Sequence, residues 1–191
     1  MGTAGPSETN YGGLLLKLDS VGAVQWERVL GPDGSTNGML NAVQQTADGG
    51  YVATGELYSP SGGLPKTSVL VVKVDPDRNV DWQQGYNNFD TSGSPTGAQH
   101  ANAIIQTTDG CYLVVGGWAN TVTPAGSNAL LLKLDSSGNV EGQKAYDGGV
   151  HCYFNGFNTT CGPHLAAPLL CSAAGHGKTA RGVRCRGHRD G

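Results

Sequence analysis

The stretch L-L-L-K-L-D-S-S-G-N-V, from Leu130 to Val140, decides how this chain is read. Leu130, Leu132 and Leu134 alternate with Leu131 and Lys133, the period of two that a β-strand imposes because successive side chains leave on opposite faces. Ser136-Ser137-Gly138-Asn139 then supplies residues suited to a tight turn, and Val140 opens a second strand. Nearly the same phrase stands at Leu14–Val24, as L-L-L-K-L-D-S-V-G-A-V, and at Val69–Val80, as V-L-V-V-K-V-D-P-D-R-N-V.

The self-similarity runs beyond this phrase. Lys17, Lys73 and Lys133 are spaced by 56 and 60 residues. Asn41-Ala42-Val43, Gln45-Thr46, Asp48-Gly49, Tyr51 and Gly55 recur 61 residues later as Asn102-Ala103-Ile104, Gln106-Thr107, Asp109-Gly110, Tyr112 and Gly116. Each unit splits into four strands. The first is Leu14–Asp19, Leu70–Asp75 or Leu130–Asp135, and the second is Val24–Leu30, Val80–Tyr86 or Val140–Tyr146. The third is Leu40–Thr46 or Ala101–Thr107, and an Asp-Gly turn, a strong local hairpin signal, leads to the fourth, Tyr51–Leu57 or Tyr112–Trp118. Helix-period patterns are absent from this region, so the expected class is all-β, built of antiparallel four-stranded meanders.

Such a meander, apolar on both faces, is not stable alone and must stack on copies of itself. The first strand in particular is expected to have mostly dry neighbours on both faces. Radial stacking of such sheets makes a β-propeller, which takes about four to eight blades. Two and a half units do not close a ring, so the expectation is a partial propeller: a piece of a larger one, an open stack, or a chain that completes the ring by self-association.

The phrases L-L-K-L-D-S-S-G-N-V, V-Q-W-E-R-V-L-G and A-V-Q-Q-T-A-D-G-G-Y-V-A-T-G resemble the bacterial and archaeal β-propeller repeat proteins of secreted or surface type. Their units run K-L-D-x-x-G-x-x-x-W and then T-x-D-G-G-Y-x-x-x-G. The resemblance covers about residues 11–149. It implies a propeller, exported to the cell surface or beyond, with no catalytic residues to carry over. On this reading the blades span about 13–57 and 69–118, with half a blade at about 129–146. The pattern is distantly similar to quinone-type propellers, since Trp26 and Trp82 follow Asp19 and Asp75 by seven residues. The expected role of each indole is packing between adjacent sheets, burying roughly 150–250 Å². The Trp position of the third unit is Gly142.

Composition agrees with strands joined by turns: charged residues are 14% of the chain and glycines number 31. Residues 1–150 hold 7 Lys+Arg against 14 Asp+Glu, a net of −7, whereas residues 151–191 hold 5 against 1, a net of +4. An acidic body is a poor polyanion binder, which speaks against nucleic acid as a partner. No run approaches the roughly 18 apolar residues of a membrane span. The N-terminus M-G-T-A-G-P-S-E has neither the basic start nor the apolar stretch of a secretory signal, consistent with a fragment.

Few residues point to chemistry. Asp75, Asp77, Asn79 and Asp81 place oxygen ligands at every second position, like the front half of a calcium loop, but no Gly stands at the sixth place and no Glu at the twelfth. An ordinary hairpin turn is the simpler reading. Lys17, Lys73 and Lys133 offer three equivalent cations to an anionic ligand, or each pairs with an acidic neighbour; repetition favours the second. No G-x-S-x-G elbow or H-E-x-x-H helix is present. No cofactor is expected. Connections of differing length, Gly31–Gly38 and Asn87–Gln99, are where individual specificity belongs, with Tyr58, Phe89, Asp90 and Trp118 as candidate contacts to a protein or glycan ligand.

From about Val150 the repeat stops in mid-unit, and 150–191 is expected to be an irregular tail rich in Cys, His and Arg. Three readings stay open. Cys161, His164, Cys185 and His188 form two C-x-x-H pairs with ligand spacing for zinc. Alternatively the cysteines pair as disulfides, for instance Cys152 with Cys161, near the sequon Asn158-Thr159-Thr160. The third reading is a disordered or out-of-frame tail, testable by translating the other two frames past codon 150. A non-enzymatic binding or structural module is the expectation, with a fragment of a quinone-dependent propeller dehydrogenase as its alternative.

Overall fold

The computed structural model describes residues 12–30, 37–59, 66–87, 97–120, 127–146, 152–158, 170–175 and 183–184. Thirteen strands and no helix occur among them. They are β1 (Gly13–Leu18), β2 (Val24–Leu30), β3 (Asn37–Gln45), β4 (Tyr51–Ser59), β5 (Lys66–Val74), β6 (Val80–Tyr86), β7 (Gly97–Gln106), β8 (Tyr112–Asn120), β9 (Ser127–Leu134), β10 (Val140–Tyr146), β11 (Cys152–Asn158), β12 (Leu170–Gly175) and β13 (Val183–Arg184). No helix among the described residues is long and apolar enough to cross a membrane.

The strands form four antiparallel sheets, none closed on itself: β1-β2, β3-β4-β5-β6, β7-β8-β9-β10 and β11-β12-β13. The meander expected from the sequence is therefore present, but its phase differs from the expected units of about 13–57 and 69–118. Each four-stranded sheet joins the last two strands of one sequence unit to the first two of the next. The cause is the long pairing of β4 with β5, in register from Tyr51↔Val74 to Ser59↔Lys66, which carries both strands past the ends read from the sequence at Leu57 and Leu70. β8 and β9 pair likewise, from Tyr112↔Leu134 to Ala119↔Ser127. The same effect starts β3 and β7 at Asn37 and Gly97, inside stretches that read as connections.

Turn chemistry follows the sequence closely. Gly22, Gly49, Gly110 and Gly138 all take left-handed φ, between 84° and 88°. Each closes a tight turn by donating its N–H to a carbonyl three residues back, as Gly138 does to Asp135 at 3.1 Å. In the second copy of the first hairpin this place is held by Arg78, at φ 74°. A side chain there meets the steric penalty that glycine avoids.

The sheets stack face to face. Leu15, Leu30, Ala53, Leu70, Val72 and Val74 form the core between the first and second sheets, with Trp26, Leu40, Tyr51 and Leu57 at its margin. Val52, Val69, Val71, Tyr86, Ile104, Tyr112, Val114, Leu130, Leu132 and Leu134 fill the core between the second and third. The two tryptophans of the first hairpins, Trp26 and Trp82, pack between adjacent sheets. Trp26 meets Tyr51 edge-on at 5.3 Å between centroids, and Trp82 meets Tyr112 at 5.9 Å. The first strands of neighbouring four-stranded sheets are also tied by polar bonds. Asn41 Nδ2 donates to Ala101 O at 2.9 Å and Gln44 Oε1 accepts from Gln106 N at 2.6 Å.

Within 150–191, expected to be irregular, the described residues form a further sheet. β11 pairs with β12, from Cys152↔Gly175 to Asn158↔Leu170, and packs against β7, β8 and β9. It thus sits on the third sheet as β7 sits on the second. Strand pairing needs backbone rather than the T-x-D-G motif, which is why loss of the repeat phrase does not end the stack.

Candidate functional site

The most organised polar group in the repeats surrounds Lys73. Its residue is only 3% exposed, yet its Nζ reaches Asp48 Oδ2 at 2.7 Å, Val74 O at 3.0 Å and Asp81 Oδ2 at 3.3 Å. Asp48 sits in the turn before β4, the strand beside β5, and Asp81 sits on β6 at the other side. Gly50 makes the approach feasible: a Cβ there would lie 2.2 Å from Val74 O and 2.8 Å from Lys73 Nζ. Burial alone would lower the Lys73 pKa, but the hydrogen bonds it donates to the two carboxylates outweigh it and hold it above its ordinary value. The hydrogen bond from Lys73, with those from Thr46 and the Gly50 N–H, brings Asp48 down to about 2.

Lys133 repeats this arrangement loosely. It pairs with Glu141 at 2.8 Å and lies 3.9 Å from Asp109. Two substitutions within the repeat explain the difference. Cys111 stands where Gly50 leaves room, and Gly142 stands across from Lys133 where Trp82 stands across from Lys73. The Cys111 thiol lies 3.8 Å from Glu141 Oε2. Burial, Asp109 and Glu141 push it up, which disfavours the nucleophilic thiolate.

Asp75, Asp77, Asn79 and Asp81 do not converge on a common point. Asp75 Oδ1 accepts the Asn79 N–H at 2.7 Å, and its Oδ2 accepts Asn79 Nδ2 at 3.0 Å. Asp81 turns to Lys73 at 3.3 Å, and Asp77 is exposed at the turn tip. Asp19 and Asp135 bind their own turns as Asp75 does, through Ala23 N at 2.8 Å and Asn139 N at 2.8 Å. These carboxylates are parts of turns. Among the described residues no group of three or more His, Cys, Asp or Glu side chains is placed to hold a metal.

The candidate contact Tyr58 is partly buried beside Glu56, whose charge raises its phenol pKa. Trp118 is only 7% exposed, so its indole belongs to the packed interior rather than to an open contact surface. Phe89, Asp90 and the zinc candidates Cys161, His164, Cys185 and His188 lie outside the described residues.

The feature that sequence reasoning missed is an open face. Leu14, Leu16 and Leu18 are 53%, 47% and 47% exposed, although their counterparts Leu70, Val72 and Val74 are at most 2% exposed. Val24 and Val29 extend the same exposed patch. The counterparts are covered by the Trp-bearing face of the preceding sheet, and among the described residues the first sheet has none before it. The expectation of dry neighbours on both faces thus fails for the first copy. Its missing cover is a property of position in the stack, which an identical strand sequence cannot encode. Models of known protein families match no part of this chain, and a search of curated proteins returns no relative.

Proposed function

We propose that this chain is a non-enzymatic stacking module of β-propeller type, which contributes sheets to a larger assembly and presents connecting segments to a protein or glycan partner. The observation that carries this reading is the repeated use of the same charged residues for the same internal bonds. Lys73 and Lys133 pair within their own sheets, and Asp19, Asp75 and Asp135 close their own turns. Catalysis ordinarily needs one unit to break the repeat and free such groups. The open Leu14–Leu16–Leu18 face supports the stacking half of the proposal, because a covered counterpart exists twice in the same molecule. The resemblance to secreted propeller repeats supports an extracellular or surface setting.

Thermal melts of the full chain test this reading, run alone, with Ca²⁺, and with pyrroloquinoline quinone. Unchanged melting is expected in all three. A rise with Ca²⁺ that Asp77→Asn removes, or quinone absorbance retained on the protein, would replace the module with a fragment of a quinone enzyme.

A further inference from the structure

The first sheet is incomplete in a specific way. The second and third sheets each place two strands before their Lys-bearing strand: β3-β4 before β5, and β7-β8 before β9. β1 is the counterpart of β5 and β9, yet among the described residues it pairs only with β2. Among the described residues its other edge, from Gly13 to Leu18, has no neighbouring strand, and the N–H and C=O groups of such an edge are a template for an added one.

Two further observations describe what that edge lacks. Lys73 and Lys133 each face an Asp from the T-x-D-G turn of the preceding strand pair, Asp48 and Asp109. Each also has an acid eight residues on, Asp81 and Glu141. Lys17 has Gln25 at that place, and among the described residues no carboxylate lies within ion-pairing distance of it. The second observation concerns β3. Its Val43 is 55% exposed, whereas the counterpart Ile104 on β7 is 4% exposed, because Ile104 packs into the core that the second sheet completes. β7 packs against β3, β4 and β5 of the sheet before it, whereas β3 packs against β1 of the sheet before it, which among the described residues has no counterpart of β3 and β4. The missing strands beside β1 would be those that cover Val43.

We infer that the free edge of β1 binds a β-hairpin of the form N-A-[V/I]-x-Q-T-x-D-G-x-Y, supplied by a partner segment, with its second strand antiparallel to β1, its turn Asp on Lys17 and its first strand over Val43. This rests on the stacking reading above and names the partner that completes the sheet. A second copy of this chain is a poor donor. Both hairpins of that form among the described residues, 37–59 and 97–120, are already paired in sheets of their own, and giving one up would expose Leu70, Val72 and Val74 or Leu130, Leu132 and Leu134, each now at most 2% exposed.

The test titrates the full chain with a labelled synthetic peptide of residues 37–59, followed by fluorescence anisotropy and amide hydrogen exchange. Saturable one-to-one binding is expected, with slowed exchange in β1 and at Val43. Replacing Asp48 by Asn in the peptide leaves the protein untouched and is expected to weaken binding about tenfold. Lys17→Met in the chain should do the same, and the two changes together should cost no more than either alone. Absence of binding would overturn the inference, as would binding indifferent to both changes. A dimer of the chain that excludes the peptide would overturn it in favour of a second copy. Hairpin binding and the Ca²⁺ or quinone response are read independently, so failure of one leaves the other standing.

Discussion

Arg78 is the clearest strain at the level of a single residue. It occupies the left-handed position that Gly22 and Gly138 hold in the other copies, at φ 74°. Arg78→Gly removes a penalty of about 1–2 kcal/mol but frees the unfolded chain, so a net gain of about 0.5–1 kcal/mol is expected by urea denaturation. The Lys73 group behaves differently, because its energetics depend on which partner is removed. Lys73→Met leaves two half-exposed carboxylates that water can solvate, and a loss of under about 1 kcal/mol is expected. The double change Asp48→Asn, Asp81→Asn strands a buried ammonium and is expected to cost about 3 kcal/mol in the same measurement.

The same group sets a pH dependence. The folded pKa of Asp48, about 2, lies below the ordinary aspartate value of 3.8, so its contribution is present above 3.8 and is lost as pH falls towards 2. With its side chain 52% exposed, screening reduces that contribution to about 1 kcal/mol. Urea midpoints of the parent chain and Asp48→Asn are expected to converge as pH falls through this window. Lys73, raised above 10.5, has the opposite sign: its contribution holds below that pH and fades above it.

Between elements, the hairpin turns show how one glycine can have two jobs. Gly22 and Gly138 both need left-handed φ, but a Cβ at Gly22 meets nothing within 4 Å while one at Gly138 would lie 2.9 Å from the Trp82 ring. Tyr86 reinforces that contact by donating its hydroxyl to Gly138 O at 2.6 Å. Gly22→Ala is expected to cost about 1 kcal/mol of backbone strain, and Gly138→Ala roughly 2–3 kcal/mol because it also pushes two sheets apart. Chemical denaturation of the two variants side by side checks the ordering. The turns themselves were legible in the sequence, since Asp-Gly and Ser-Gly pairs dictate local φ. The contact between the third sheet's turn and the second sheet's tryptophan was not, because it joins residues 56 positions apart that share no local pattern.

Across the whole molecule, position in the stack sets the value of each apolar residue. Leu16 and Leu132 occupy the same place in their copies, at 47% and 0% exposure. Leu132→Ala is expected to cost about 3 kcal/mol and Leu16→Ala under about 0.5 kcal/mol by denaturant titration of the full chain. Comparable losses would mean that Leu16 is covered in solution.

Period-two alternation, the Asp-Gly turns and the recurrence of whole phrases were enough to determine an all-β chain of antiparallel hairpins that must stack, because these depend on local backbone preference and on each strand's own two faces. Strand ends at Val24, Val80 and Val140 followed from the same signals. What only the tertiary structure decided was which hairpins share a sheet, which copy of an identical strand is dry, and that β11 continues the stack after the repeat phrase ends. These depend on long-range pairing of backbone groups and on what lies beside a face. Repeated sequence is silent on both, since every copy offers the same edges and the same leucines while only some of them find a neighbour.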